Sequence, residues 1–142
     1  TVYGPYGRPD MAVYKFFDRI TKNQKIEIYN YGNHSRSYTY ITDVVENINK
    51  IIIFIKKKEH KKSLNKILNI GNPKTVNLNN FIKLIEKYSK KKAKIKYLPK
   101  QTGDVLITKA KINNEEKKFK FRFNINIEKG LKKFSHWFLN EK

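Results

Sequence analysis

Thr1-Val2-Tyr3-Gly4-Pro5-Tyr6-Gly7-Arg8-Pro9-Asp10-Met11 gathers turn-forming glycines and prolines, aromatics and one arginine into a segment that leads straight into a helix. The glycines admit backbone conformations that other residues resist, while the prolines fix φ and remove N–H donors, so Arg8 is held on a stiff loop. An arginine held in this way can present its planar fork to a carboxylate or a phosphate. The same chemistry suits an ordinary surface turn with a solvated arginine, and the stretch alone leaves both readings open.

Beyond it, Val13, Phe16, Phe17 and Ile20 fall at i, i+3, i+4 and i+7, which predicts an amphipathic helix from Met11 to Thr21 with Asp10 capping its first turn. Lys25 to Tyr29 alternates polar and apolar, Asn30-Tyr31-Gly32-Asn33 carries turn chemistry, and Ser37 to Ile41 is a second β-prone run. The two runs read as a hairpin or as neighbouring strands, with Arg36 at the shoulder. Thr42 or Asp43 is expected to cap a helix whose Val44, Val45, Ile48, Ile51, Ile52 and Ile55 form a broad buried face. Its end, Lys56-Lys57-Lys58, suits the negative pole of the helix dipole. Glu59 to Lys66 reads as an exposed loop, and Lys66 to Ile70 as a short strand stopped by Gly71-Asn72-Pro73. Asn77 then opens a helix carrying Leu78, Phe81, Ile82, Ile85 and Tyr88 at helical spacing. Lys94 to Leu98 alternates again before Pro99, and Gln101-Thr102-Gly103-Asp104-Val105 is a polar turn whose amide and carboxylate suit a sugar or ribose contact. From Asn126 to Glu141, Ile127, Leu131, Phe134 and Phe138 share one face beside Trp137, a terminal helix that docks by its aromatics. Strand followed by helix, repeated along the chain, predicts an α/β fold.

A chain of 142 residues with 39% hydrophobic content supports one domain with a real core, here residues 1–142. Without cysteine there are no disulfides or thiolate metal sites. The longest apolar run, Ile51-Ile52-Ile53-Phe54-Ile55, is far too short to span a bilayer, and the default expectation is a soluble cytoplasmic protein. The net charge of +20 is compatible with phosphate-backbone binding, so a basic nucleic-acid-binding protein is the competing class. The excess is mostly lysine, accompanied by abundant asparagine and isoleucine, a trio that A- and T-rich codons suffice to explain, and no helix-turn-helix or RNA-binding signature occurs. The three histidines share no metal-like spacing; His34 lies in a turn near Arg36, and surface or core roles suit His34, His60 and His136. Because the chain opens on Thr1 in the middle of a strand-like run, a preceding part is expected.

Five motifs stand in order: Thr1 to Met11, Asn30-Tyr31-Gly32, Arg36-Ser37-Tyr38-Thr39-Tyr40-Ile41, Gln101-Thr102-Gly103-Asp104-Val105, and Gly130-Leu131 through Trp137. The series resembles the C-terminal, substrate-binding part of an NAD-dependent epimerase/dehydratase of the extended short-chain dehydrogenase/reductase family, and within it the UDP-glucuronate 4-epimerase subgroup. The resemblance implies a hydride taken from sugar C4 by NAD⁺, rotation of the 4-keto intermediate and return of the hydride to the other face, so that UDP-glucuronate becomes UDP-galacturonate. It also implies that Thr1 and Arg8 lie along the sugar, Arg8 facing the glucuronate carboxylate, that Arg36 clamps the diphosphate and that Asp104 reaches the ribose. Gln101 stands where galactose epimerases tend to carry a phosphate-binding arginine, which leaves more of that task to Arg36. On this reading residues 1–10 end a Rossmann half that is missing, NAD is bound by that half, and the partners are a UDP-sugar with a separate Rossmann half or a second copy of the chain.

No GxxGxxG or GxGxxG occurs for a dinucleotide pyrophosphate. The family's Tyr-x-x-x-Lys pair has one formal match, Tyr88-Ser89-Lys90-Lys91-Lys92, which is rejected because lysine is abundant, Tyr88 falls on an apolar helix face and the family's pair lies upstream of the first motif. No catalytic residue is therefore expected. Ser37 and Thr42 stand where the family usually carries acids, so Ser37 is expected to loosen the hairpin while Thr42 can still cap a helix. Other expectations are a fragment of a UDP-glucose or other nucleotide-sugar 4-epimerase or dehydratase, and a gene remnant without function.

Overall fold

A computed structural model describes residues 1–57, 67–113 and 117–141. The loop expected at Glu59 to Lys66, and His60 with it, lies outside the described residues, and residues 67–70 form no strand where one was expected from Lys66 to Ile70. The described elements are β1 (Val2–Tyr3), α1 (Ala12–Thr21), β2 (Lys25–Tyr29), a single 3₁₀ turn (Asn30–Gly32), β3 (Ser35–Ser37), β4 (Thr39–Tyr40) and α2 (Ile41–Lys57). After these come β5 (Thr75–Asn77), α3 (Leu78–Ser89), β6 (Lys94–Leu98), β7 (Ile107–Thr108) and α4 (Ile127–Asn140). The α/β expectation holds.

The strands form three small sheets. β1 runs parallel to β4, β2 parallel to β6, and β3 lies between antiparallel β5 and parallel β7. The two runs form neither a hairpin nor neighbouring strands: β2 pairs from Lys25↔Lys94 to Tyr29↔Leu98 with β6, and the second run divides at Tyr38 into β3 and β4, which enter different sheets. Arg36 accordingly lies within β3 rather than at a shoulder.

Periodic residues build the core. Val13, Phe17 and Ile20 of α1, Phe81, Ile82 and Ile85 of α3, and Leu131, Phe134 and Trp137 of α4 are buried around Ile26 and Ile28 of β2. The Phe17 ring meets Phe134 edge-on at 5.6 Å between centroids and tilts against Phe138 at 5.0 Å, separations at which ring quadrupoles attract. Asn77 caps α3 by accepting from the Asn79 N–H at 2.9 Å, and Asn126 caps α4 by accepting from Lys129 N–H at 2.8 Å. Asp10 does not cap α1: the flanking residue is Met11, whose side chain makes no cap bond, and Asp10 turns back to Arg8. Gly130 lets α4 approach β1, because a Cβ there would collide with the Tyr3 ring.

The largest departure concerns α2. Thr42 and Asp43 lie inside its first turn, so neither is its cap. The fully buried residues of α2 are polar: Asp43 and Asn47, one turn apart, are buried, while Val44 and Ile51 are half-buried and Val45, Ile48, Ile52 and Ile55 are exposed. The reason is a strip of backbone that needs partners. Asn47 Nδ2 donates to the Arg122 carbonyl at 2.8 Å and its Oδ1 accepts from the Arg122 N–H at 3.0 Å, while Asp43 Oδ2 accepts from Ile125 N–H at 3.0 Å. Replacing Asn47 by Leu strands both Arg122 groups, and we expect a loss of about 2–3 kcal/mol, read as a lower urea midpoint at constant slope. An unchanged midpoint would mean that the bridge adds nothing to stability.

Candidate functional site

The residues that can recognise a ligand converge because β3 and β7 run side by side. Their register sets Ser35 against Ile107 and Arg36 against Thr108, which brings the turn preceding β7 to the flank of Arg36. That turn closes by the Asp104 N–H donating to the Gln101 carbonyl at 3.2 Å, with Gly103 at φ 81°, a conformation that favours glycine. Arg36 Nη1 donates to the carbonyls of Ser35 and Leu106, both at 3.1 Å, and Nη2 donates to Asp104 Oδ1 at 3.2 Å. On its other oxygen, Asp104 Oδ2 lies 2.8 Å from His34 Nε2. The three side chains border a cavity of about 190 Å³, also lined by Phe16, Glu27, Tyr29, Tyr38 and Val76.

Burial grades the cluster: His34 is 6% exposed, whereas the Arg36 and Asp104 side chains are 27% and 25% exposed. A cation and an anion at the rim can each take a ligand's polar group, with the imidazole behind them. Burial pushes the Tyr38 hydroxyl up to about 12, so that phenol stays neutral at physiological pH and supplies no base.

The other expected site residues sit elsewhere. Thr1 is exposed, and its amino group donates to the Ser37 carbonyl at 2.7 Å. Arg8 is exposed and engages Asp10 through two bonds, Nε to Oδ1 at 3.0 Å and Nη2 to Oδ2 at 2.5 Å, which holds the Asp10 carboxyl below its ordinary value. Gln101 contributes its carbonyl to the turn while its side chain faces solvent. None of these three borders the cavity. Ser37, expected to loosen a hairpin, is buried and donates its hydroxyl to the Asn72 carbonyl, so it ties β3 down. Tyr88 donates to Glu128 and Lys92 pairs with Glu86, so these two side chains answer to different carboxylates. Tyr29 was read only as a strand end, and His34 was read as a turn residue near Arg36 able to graze a ligand, with a surface or packing role preferred. The signal for His34 was its position two residues before Arg36, at the entry to β3.

NAD needs free backbone N–H groups at a glycine-rich helix start for its pyrophosphate. Among the described residues, α1 and α2 open at Ala12 and Ile41, and the first N–H groups of α3 and α4 are met by Asn77 and Asn126. These helix starts do not fit that cofactor. The same residues contain no cluster of metal-ligating side chains and no helix long and apolar enough to cross a membrane.

Residues 1–71 match the NAD dependent epimerase/dehydratase family, and the chain belongs to it. It is 50% identical over 143 residues to an uncharacterized protein of Methanocaldococcus jannaschii, covering 100% of this chain and 41% of that protein. UDP-glucuronate 4-epimerase 2 of Arabidopsis thaliana is 34% identical over 150 residues, covering 98% of this chain and 34% of that enzyme. The crystal structure of UDP-glucuronic acid 4-epimerase from Bacillus cereus in complex with UDP-glucuronic acid and NAD superposes with a TM-score of 0.83 at 25% identity, over 100% of this chain and 44% of that one. The chain thus spans less than half the length of these relatives.

Proposed function

We propose that the chain is the nucleotide-sugar-binding portion of an NAD-dependent epimerase that inverts C4 of UDP-glucuronate, and that it is inert alone because the cofactor and the catalytic Tyr/Lys pair belong to a separate, N-terminal Rossmann part. The observation that carries this reading is the 3.2 Å contact between Arg36 and Asp104. A ribose and its diphosphate are joined by a single ester link, so their recognition requires an anion-binding fork and a hydroxyl acceptor side by side. Arg36 and Asp104 meet that requirement, Arg36 for the diphosphate and Asp104 for the ribose. The cavity is smaller than the roughly 300–1,000 Å³ of a complete small-molecule site, as befits one end of a longer ligand. The exposed apolar stripe of α2 supports a missing neighbour, since a Rossmann half would cover it.

Arg8 is assigned to the sugar end. Exposed and paired within its own loop, it can exchange Asp10 for the glucuronate carboxylate at little cost. Calorimetric titration of the chain with UDP-glucuronate and UDP-glucose tests the whole reading. Arg8→Ala should weaken UDP-glucuronate about tenfold and leave UDP-glucose within about twofold. Equal losses would return Arg8 to the role of a surface residue. UDP-galacturonate formed by the chain with NAD⁺ alone would refute its inertness, and tight, steeply salt-dependent binding of generic duplex DNA without UDP binding would favour the basic-protein alternative.

A further inference from the structure

We infer that the Tyr38 hydroxyl is a second donor to the diphosphate, acting beside the Arg36 guanidinium; the inference rests on the reading of the cavity as a UDP site. Tyr38 is 5% exposed and lines that cavity together with Arg36. Its ring is held in place, lying flat on Phe81 at 4.7 Å between centroids with 7° between the planes, and meeting Tyr3 edge-on at 6.2 Å. The hydroxyl, by contrast, has no hydrogen-bond partner among the described residues. Nor is it sealed in: the fully enclosed polar atoms without a partner are His34 Nε2 and Trp137 Nε1, and the Tyr38 oxygen is not one of them. Nothing described in the fold calls for an oxygen at this place. A phenol withdrawn from water without a partner destabilises a chain relative to a plain phenyl ring, and a ligand in the cavity can supply the partner that the fold does not.

Charge selects the part of the ligand. Burial pushes the hydroxyl up to about 12 while the positive charge of Arg36 acts in the opposite direction, so the phenol keeps its proton and lies within the field of the guanidinium. A protonated phenol beside a cation is suited to donate to an anion. A phosphoryl oxygen drawn to Arg36 can accept N–H and O–H bonds together, whereas a neutral ribose hydroxyl gains little from the adjacent charge.

Tyr38→Phe removes the oxygen and keeps the stacked ring. Titrations followed by NMR with UDP and with uridine, which lacks both phosphoryl groups, read the two parts of the ligand separately. The variant should bind UDP about tenfold more weakly, the effect of one hydrogen bond to a charged group, and should bind uridine within about twofold of the unaltered chain. Its urea midpoint should equal or exceed that of the unaltered chain, because the folded chain loses no hydrogen bond. Unchanged UDP affinity overturns the inference and leaves the UDP reading standing. Equal losses for UDP and uridine move the hydroxyl to the nucleoside and overturn it as well, and a lowered midpoint counts against it by showing that the hydroxyl serves the fold. Failure of the unaltered chain to bind UDP overturns the reading of the cavity too.

Discussion

Arg36→Ala is expected to lower the affinity of the chain for UDP roughly 30- to 100-fold, the equivalent of about 2–3 kcal/mol for a charge-assisted hydrogen bond removed from a part-buried site. The loss has two sources. The diphosphate forfeits a planar fork, and the rim loses the guanidinium that ties β3 to the Leu106 carbonyl beside the Asp104 turn. Arg36→Lys separates them: it keeps a positive charge but cannot reach the Ser35 and Leu106 carbonyls and Asp104 in one planar arrangement, so it should recover only part of the affinity. Calorimetry at fixed ionic strength is the measurement, with the unfolding midpoint as control. A variant that binds UDP as the unaltered chain does would move the diphosphate away from β3.

Phe17→Ala carries the largest expected effect on stability. The ring is 0% exposed and is clasped by Phe134 and Phe138 of α4, so truncation removes buried area and leaves a cavity that α1 and α4 cannot close by themselves. We expect a cost of about 3–5 kcal/mol and a drop in midpoint of roughly 10–15 °C for a domain of this size. Ile52→Ala is the companion: on the exposed face of α2 it should stay within about 0.5 kcal/mol. A large loss there would mean that the α2 stripe is covered in solution.

Helices α1, α3 and α4 were legible because each repeats apolar residues at helical spacing and two of them announce their starts with an asparagine. β2 and β6 were legible by alternation, but not as each other's partners, since a parallel pairing across sixty-odd residues leaves no local mark. β1 and β4 fell inside runs that read as β-prone, at Thr1 onward and Ser37 to Ile41, whereas the two residues of β7 are too few for any period to show. The α2 face failed for a different reason. Spacing marks where an apolar stripe lies, not whether anything covers it, and the inward side was decided by the backbone of residues 122–125 calling for Asn47 and Asp43. At the site, Arg36 and Asp104 were accessible through motif resemblance, whereas His34 emerged only once β3 and β7 brought the Asp104 turn beside it.

The meeting of β1 with α4 has a bearing on how the molecule is made. The Tyr3 hydroxyl donates to the Ile127 carbonyl at 3.5 Å across 124 positions, and Gly130 packs on the same ring. Closing a loop that long precedes any reward from the contacts it brings, so folding should be slow relative to that of a helical bundle of equal size. On the ribosome, Phe17 has no aromatic partner from α4 until Phe134 and Phe138 have emerged, so the nascent chain holds an open hydrophobic cleft between α1 and α3 until α4 is made. Helix α4 therefore acts as a timing element, and deleting it should leave that cleft open and make the chain dependent on chaperones.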